Sequence, residues 1–280
     1  MANENDGTAK DKRTNDILLG PLERPALQFF AKHMPAWVNS DMLTVLGLLG
    51  SVLAGFAYAM VGRGEIKGNI WLFVASLGFI INWFGDSLDG TLARYRHHER
   101  PNYGYYTDHA IDGITSLILF AGIGLAGIAR FDISMIALSG WLLLMIQVYL
   151  KTHVTGTFEM TSIGIGPTEV RLIAIILNTT LFFTGIGGYL FTPTIQGQEF
   201  GLTIGSLIVA LLTILFLAYY IYQVISTGVV LAAQDEARLL KRKQKEAEKA
   251  EKEKLKVEKK TRQRLQKELQ KARNSEKKKK

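Results

Sequence analysis

The 280-residue chain contains no cysteine. Disulfides and thiolate-held metals are therefore excluded, and any metal must be held by harder ligands. Residues 1–16 lack an apolar run of the kind that forms the core of a signal peptide; they are small, polar and charged and read as a disordered cytoplasmic lead. At the other end the chain lacks two further signatures. Leu255, Val257, Leu265 and Leu269 are too sparse to sustain the heptad of a coiled coil, and no aromatic residue or motif accompanies the basic charge as nucleic-acid binding would require. No nucleic-acid partner is expected.

The middle of the chain is apolar. Hydrophobic residues make up 48% of the sequence, and they fall in long uncharged runs at roughly 42–62, 69–94, 104–129, 133–154, 167–187 and 201–230. Each is close to or above the ~20 residues that a helix needs to cross a bilayer. Backbone groups in lipid must be satisfied internally, so helices are expected. The prediction is an all-α, multi-pass integral membrane protein with six transmembrane helices. Before the first span, residues 17–36 mix Leu18, Leu19, Leu22, Leu27, Phe29 and Phe30 with Glu23, Arg24, Gln28 and Lys32, which suits a short interfacial helix. Pro21 and Pro25 interrupt its regularity. The six-helix domain is expected over 37–232, and a charged tail over 233–280.

Lysine and arginine orient the bundle. With six spans both termini share a side, and that side collects Lys10, Lys12, Arg13, Arg24, Lys32, Arg94, Arg96, Arg100, Lys151 and the tail, against Arg63, Lys67 and Arg130 opposite. Termini and the loop after the second span are therefore expected in the cytoplasm, at the cell inner membrane. The net charge of +8 is uneven: from Asp235 onward there are 20 basic and 9 acidic residues, a net of +11, which leaves −3 for everything before it. The tail composition favours helix, and its charge favours anionic lipid as a partner.

The chemistry is concentrated in DSLDGTLARYRHHERPNYGYYTDHAID, Asp86 to Asp112. Asp86 and Asp89 fall at the cytoplasmic end of the second span, Asp108 and Asp112 in the first turns of the third. Ionised groups at such depth are costly and tend to face a cavity or a partner. The i, i+3 and i, i+4 spacings put each pair on one helix face, and the short loop from Tyr95 to Tyr103 makes the two helices antiparallel neighbours. Four carboxylates can then converge, and their mutual repulsion is relieved by hard divalent cations, Mg2+ or Mn2+. The glycines and alanine of the stretch, Gly90, Ala93 and Gly104, leave room for a nucleotide or phosphate at the helix backbone, and the amino end of the third helix favours an anion.

These residues resemble the signature of the CDP-alcohol phosphotransferase family, DxxDGxxAR followed by GxxxDxxxD. Asp86, Asp89, Gly90, Ala93, Arg94, Gly104, Asp108 and Asp112 fill every fixed position, with nine residues rather than the usual eight between Arg94 and Gly104. The resemblance spans about Pro35 to Thr184. It implies phospholipid synthesis by transfer of a substituted phosphate from a CDP-linked donor to an alcohol acceptor, with release of CMP, in a homodimer. It also implies two metal ions on Asp86, Asp89, Asp108 and Asp112, with Asp112 as ligand or as base for the attacking hydroxyl, and Arg94 at the donor phosphates. His109, directly after Asp108, is a rival base. The Asp-His pair and the segment Thr168 to Arg171, which follows a TGT at 155–157, are similar to the choline and ethanolamine phosphotransferase branch and mark Glu169 and Arg171 as site-lining. Two donor forms stay open: CDP-diacylglycerol with a small polar alcohol, which leads, and a CDP-amino alcohol with diacylglycerol. The non-enzymatic alternative is a transporter that uses the same carboxylates as an ion relay.

Overall fold

A computed structural model of the chain describes residues 18–155, 167–186, 189–192, 194–195, 198–199 and 201–277. The expected lead at 1–16 and the TGT segment beyond Thr155 lie outside the described residues. The elements are helices α1 (Gly20–His33), α2 (Ser40–Val61), α3 (Trp71–Tyr95), α4 (Pro101–Leu125), α5 (Phe131–Thr155) and α6 (Pro167–Thr184). Four short strands follow, β1 (Tyr189–Phe191), β2 (Thr194–Ile195), β3 (Gln198–Glu199) and β4 (Leu202–Thr203), and then the long helix α7 (Ile204–Lys277). Most of the described residues are helical, and the fold is that of an all-α integral membrane protein.

The interfacial helix forms where it is expected. Pro21 sits in the first turn of α1, where the missing N–H has no intrahelical partner to lose, and Pro25 is accommodated inside the helix. One face of α1 buries Leu27 and Ala31 in a cluster with Val38, Leu43, Leu88 and Leu92, which seats the helix on α3. Leu18, Leu22 and Phe29 face outward and are exposed, as suits an amphipathic helix with lipid on its outer side. The Asn39 side chain caps α2, accepting from the Met42 amide at 2.8 Å, which satisfies a donor that the helix start would otherwise leave open.

Helices α2 and α3 meet backbone to backbone. A Cβ added to Gly50 would lie 2.5 Å from the Asn82 amide nitrogen, and one on Gly85 would lie 2.4 Å from that of Gly47. Small residues permit this approach in lipid, where packing replaces the hydrophobic drive between helices. The contact fixes the height of Asp86 and Asp89, which lie one residue and one turn beyond Gly85. Farther along the same pair, Ala54, Ala57, Tyr58, Val61, Leu72, Ala75 and Phe79 form a buried core with Ala126.

Of the six runs expected to span, one differs in character. By length and apolarity α2, α3, α4, α5 and the first part of α7 suffice to cross a bilayer, which makes five among the described residues. The 18-residue α6 falls short because Thr168, Glu169, Arg171, Asn178 and three further threonines dilute its apolar face. Its polar groups find partners inside the bundle instead. Asn178, fully buried, accepts from the Tyr58 hydroxyl at 2.9 Å and donates to Ser76 Oγ at 3.1 Å, which bolts α6 to α2 and α3.

Between α6 and α7 lie two small antiparallel ribbons, β1 with β4 and β2 with β3. Thr203 donates to the Ile128 carbonyl at 2.7 Å, and the Arg130 amide donates to Ser206 Oγ at 3.0 Å; these bonds tie the start of α7 to the α4–α5 turn. The chain divides into one compact unit ending at Gln223 and a second from Val224. Within the second, the described side chains from Ala232 to Lys267 are exposed, and the helix continues without a break to Lys277.

Candidate active site

Helix α3 ends in the turn that carries Asp86, Asp89 and Arg94, and α4 begins after a five-residue link from Arg96 to Arg100. The link is short because His97 takes a left-handed conformation, φ 55, which reverses the chain sharply. Two of the loop arginines hold it down. Arg96 donates to the carbonyls of Val38, Met34 and Pro35, and Arg100 pairs with Asp41 while its guanidinium lies 4.2 Å from the centre of the Tyr103 ring. Charges read from the sequence as orienting signals thus also fasten the α3–α4 turn to the entry of α2.

The antiparallel arrangement brings carboxylates from both helices to one cleft. Asp86, Asp108 and Asp112 line it together with Thr44, Gly47, Leu48, Asn82, Ile111 and Thr115. Asp89 is not on its wall. It is buried, accepts from Thr44 Oγ1 at 2.6 Å and bonds the Gly90 amide; since Thr44 lines the cleft, Asp89 stands directly behind it. The predicted meeting of four carboxylates thus takes the form of three in the cleft and one in its backing. Among the described residues no three acidic or imidazole groups are gathered tightly enough to enclose an ion as they stand. The donor chemistry nevertheless suits a hard divalent cation, since the cleft wall is oxygen-rich and carries three carboxylates.

The glycines of the motif have little protein around them. A Cβ at Gly104 would meet nothing within 4 Å, and one at Gly90 would meet only the end of the Arg94 side chain, nearest at 3.3 Å. Packing against the described residues gives no reason for glycine at either position. Ala93 is half-buried on the same turn, and exposed Arg94 folds back to donate to Thr91 Oγ1 at 3.2 Å.

His109 and Asp112 take different places. Asp112 lines the cleft, whereas the His109 ring lies edge-on to Tyr105 (4.1 Å between centroids) and stacks on Tyr149 of α5 (4.7 Å). His109 Nδ1 is 3.8 Å from the nearer Asp112 oxygen, which is contact at charge range and beyond a hydrogen bond.

The two α6 residues separate as well. Arg171 reaches α3: its Nε donates to Asn82 Oδ1 and its Nη2 to Asp86 Oδ2, both at 2.7 Å. Glu169 is buried and turns to α1, where it accepts from the Leu19 amide at 2.9 Å. Sequence reasoning missed Thr44, Asn82 and Thr115, which line the cleft, and Tyr149, which holds His109. Asn82 carried a signal, being an amide deep in an apolar run; Thr44 and Thr115 carried none, because a threonine in a membrane helix usually satisfies itself on its own backbone.

Comparison with known proteins agrees with this geometry. An archaetidylinositol phosphate synthase of Pyrococcus horikoshii is 27% identical over 153 residues, which cover 55% of this chain and 75% of that protein. A sequence model described as CDP-alcohol phosphatidyltransferase matches residues 37–233. The match contains the whole aspartate motif and passes Thr184, where the motif-based resemblance stopped, into α7. Because the family is one of enzymes, the transporter reading falls away. A match over most of the chain, with every cleft residue inside it, shows that this protein belongs to the CDP-alcohol phosphatidyltransferase family and is a membrane transferase of phospholipid biosynthesis.

Proposed function

We propose that the enzyme transfers a phosphatidyl group from CDP-diacylglycerol to a small polar alcohol, with release of CMP, at the Asp86–Asp108–Asp112 cleft. The observation that carries the reading is the meeting of these three carboxylates from two antiparallel helices at one cleft. A relative named for the synthesis of archaetidylinositol phosphate supports the form in which the lipid arrives on the nucleotide.

Asp86, Asp108 and Asp112, backed by Asp89, would hold two divalent ions, Mg2+ or Mn2+. When bound, such ions offset the charge that builds on the entering and leaving oxygens of an in-line displacement. Asp112 faces the cleft and takes the proton of the attacking hydroxyl. Geometry comes before basicity in choosing a base, and His109, held between two tyrosines, supports Asp112 from the side. Arg94 meets the donor phosphates, with Gly90, Ala93 and Gly104 leaving space for the nucleotide. Arg171 keeps Asp86 and Asn82 in register, and Glu169 fixes the start of α6.

The proposal extends to topology. α6 spans with the other five helices, its 18 residues covering about 27 Å at 1.5 Å per residue. Six spans put both termini and the cleft on the cytoplasmic side, and the family resemblance carries a homodimer. Offering purified enzyme a panel of CDP donors and alcohols, with mass spectrometry of the lipids formed, tests the substrate assignment. A phosphatidyl-alcohol made from CDP-diacylglycerol is the expected product; product from a CDP-amino alcohol and diacylglycerol alone would replace this reading with the other form.

A further inference from the structure

The first turns of α1 and α6 exchange hydrogen bonds in both directions. The Leu19 amide at the start of α1 donates to Glu169 Oε1 at 2.9 Å. In return, Thr168 Oγ1 donates to Glu23 of α1 at 3.0 and 3.1 Å. Glu23 Oε1 also accepts from Trp83 Nε1 of α3 at 2.8 Å. The Glu23 carboxylate on the interfacial helix is thus shared between α3 and α6, and the Leu19 amide that Glu169 accepts from is one of the N-terminal donors that a helix leaves unsatisfied.

The position of this clamp gives it a consequence for catalysis. Trp83 is the neighbour of Asn82, and Thr168 lies three residues before Arg171 on the same helix. Asn82 and Asp86 are the two groups that Arg171 holds, both at 2.7 Å. Asn82 is itself fastened, donating to the Gly47 carbonyl at 2.9 Å, so the α3 side of the pairing is rigid. On the other side, α6 begins at Pro167, so Thr168, Glu169 and Arg171 all lie in its first turns. Within the described residues, the start of α6 is set at this height by Glu23, by Glu169 and by Arg171 itself.

We infer that Glu23 is a positioning residue for the transfer reaction. Without touching the cleft, it sets the height and rotation of the first turn of α6 through Thr168, and so aims Arg171 at Asp86. Arg171 has a planar guanidinium whose two bonds must be made together, and a misplacement of about 1 Å at a reacting site costs about a hundredfold. Loss of one of several restraints is expected to cost less. The inference rests on Asp86 and Arg171 being site residues, as proposed above.

A double-mutant cycle on turnover in lipid nanodiscs tests it. Glu23→Ala is expected to lower kcat about tenfold, in line with losing a charge-assisted hydrogen bond, while KM for the donor changes little. Glu23→Gln retains an acceptor for Trp83 and Thr168 and should recover most of the loss. Thr168→Val removes a single hydroxyl and should lower kcat in the same direction, which keeps the test open if Glu23→Ala folds poorly. The decisive variant is Glu23→Ala with Arg171→Ala. If Glu23 acts through Arg171, the double variant is no slower than Arg171→Ala alone, because there is no guanidinium left to aim. Multiplying losses, or a Glu23→Ala and Thr168→Val pair with unchanged kcat, would overturn the inference. Normal turnover of Arg171→Ala itself would instead remove the site assignment on which the inference rests.

Discussion

The cleft and the C-terminal tail are the two places where this chain concentrates charge, and they treat it in opposite ways. In the cleft region a few ionisable groups are each held by named neighbours: Asp86 by Arg171, Asp89 by Thr44, Glu169 by the Leu19 amide. In the tail, net charge is far larger but ion pairs such as Arg238–Asp235 and Arg262–Glu258 are loose, both at 3.6 Å and well exposed. Exposed pairs of this kind are worth about 0–1 kcal/mol. The number of charges therefore says little about where the chemistry lies. What distinguishes the cleft is that removing a single oxygen there leaves a buried or half-buried partner without its counterpart.

The sharpest way to break the comparison is at the carboxylates. Asp86→Asn or Asp108→Asn should lower CMP release by about a thousandfold or more, judged by the weight of preorganised charge in active sites. The variant should still insert and elute as the folded protein. Near-normal turnover in either variant, measured beside the wild type, would remove it from the site. Asp112→Asn should cost about 10²- to 10⁴-fold in kcat, the range of general-base catalysis, with donor KM largely kept. His109→Ala should cost less than about tenfold, as loss of a supporting contact. A dead His109→Ala with an active Asp112→Asn would exchange the two roles.

The support beneath the cleft is expected to be less sensitive than the carboxylates themselves. Gly50→Ala places a methyl group 2.5 Å from the Asn82 amide nitrogen, so α2 and α3 must move apart. The expected cost is about 1–3 kcal/mol of stability, read as a lowered midpoint in thermal unfolding in detergent, with kcat of the folded fraction reduced less than in the aspartate variants. An unchanged midpoint would mean that the backbone contact is looser than described.

The smallest effect on turnover belongs to the tail. Arg238, Lys241, Arg242, Lys243 and Lys245 fall within eight residues that contain no carboxylate, and such blocks beside a membrane helix attract anionic lipid by about 1 kcal/mol per cation. Truncation after Arg238 should leave turnover in detergent nearly unchanged. The shortened chain should lose the salt-sensitive protection from protease that anionic nanodiscs give the intact tail. Loss of activity in detergent without loss of folding would make the tail part of the catalytic machinery.

Legibility in the sequence followed the range of the interaction. The aspartate pairs could be placed on common faces because i, i+3 and i, i+4 spacing is a local property of any helix, and apolar runs located the starts of the helices to within a few residues. Asp89, however, has the same spacing relation to Asp86 as a cleft residue would, and only the approach of Thr44 from α2 shows that it backs the wall. The roles of α6 were least visible. Its Glu169 and Arg171 are two residues apart, yet one serves α1 across 150 positions and the other serves α3 across 85. Periodicity contains no information about partners so distant. The same limit applies to the apolarity of α6: Asn178 lowers it on paper, while its bonds to Tyr58 and Ser76 make the polar group cheap to bury.

The central claim is that the cleft carboxylates perform metal-dependent transfer from a CDP-linked lipid. It is tested most directly by following CMP and lipid product together from purified enzyme, first with a chelator and then with Mg2+ or Mn2+ restored. The account predicts CMP and phosphatidyl-alcohol in equal amounts, both abolished by the chelator, both recovered on adding the ion, and neither recovered in Asp108→Asn. Transfer that continues undiminished in the chelator, or that recovers in Asp108→Asn as fully as in the wild type, would contradict it.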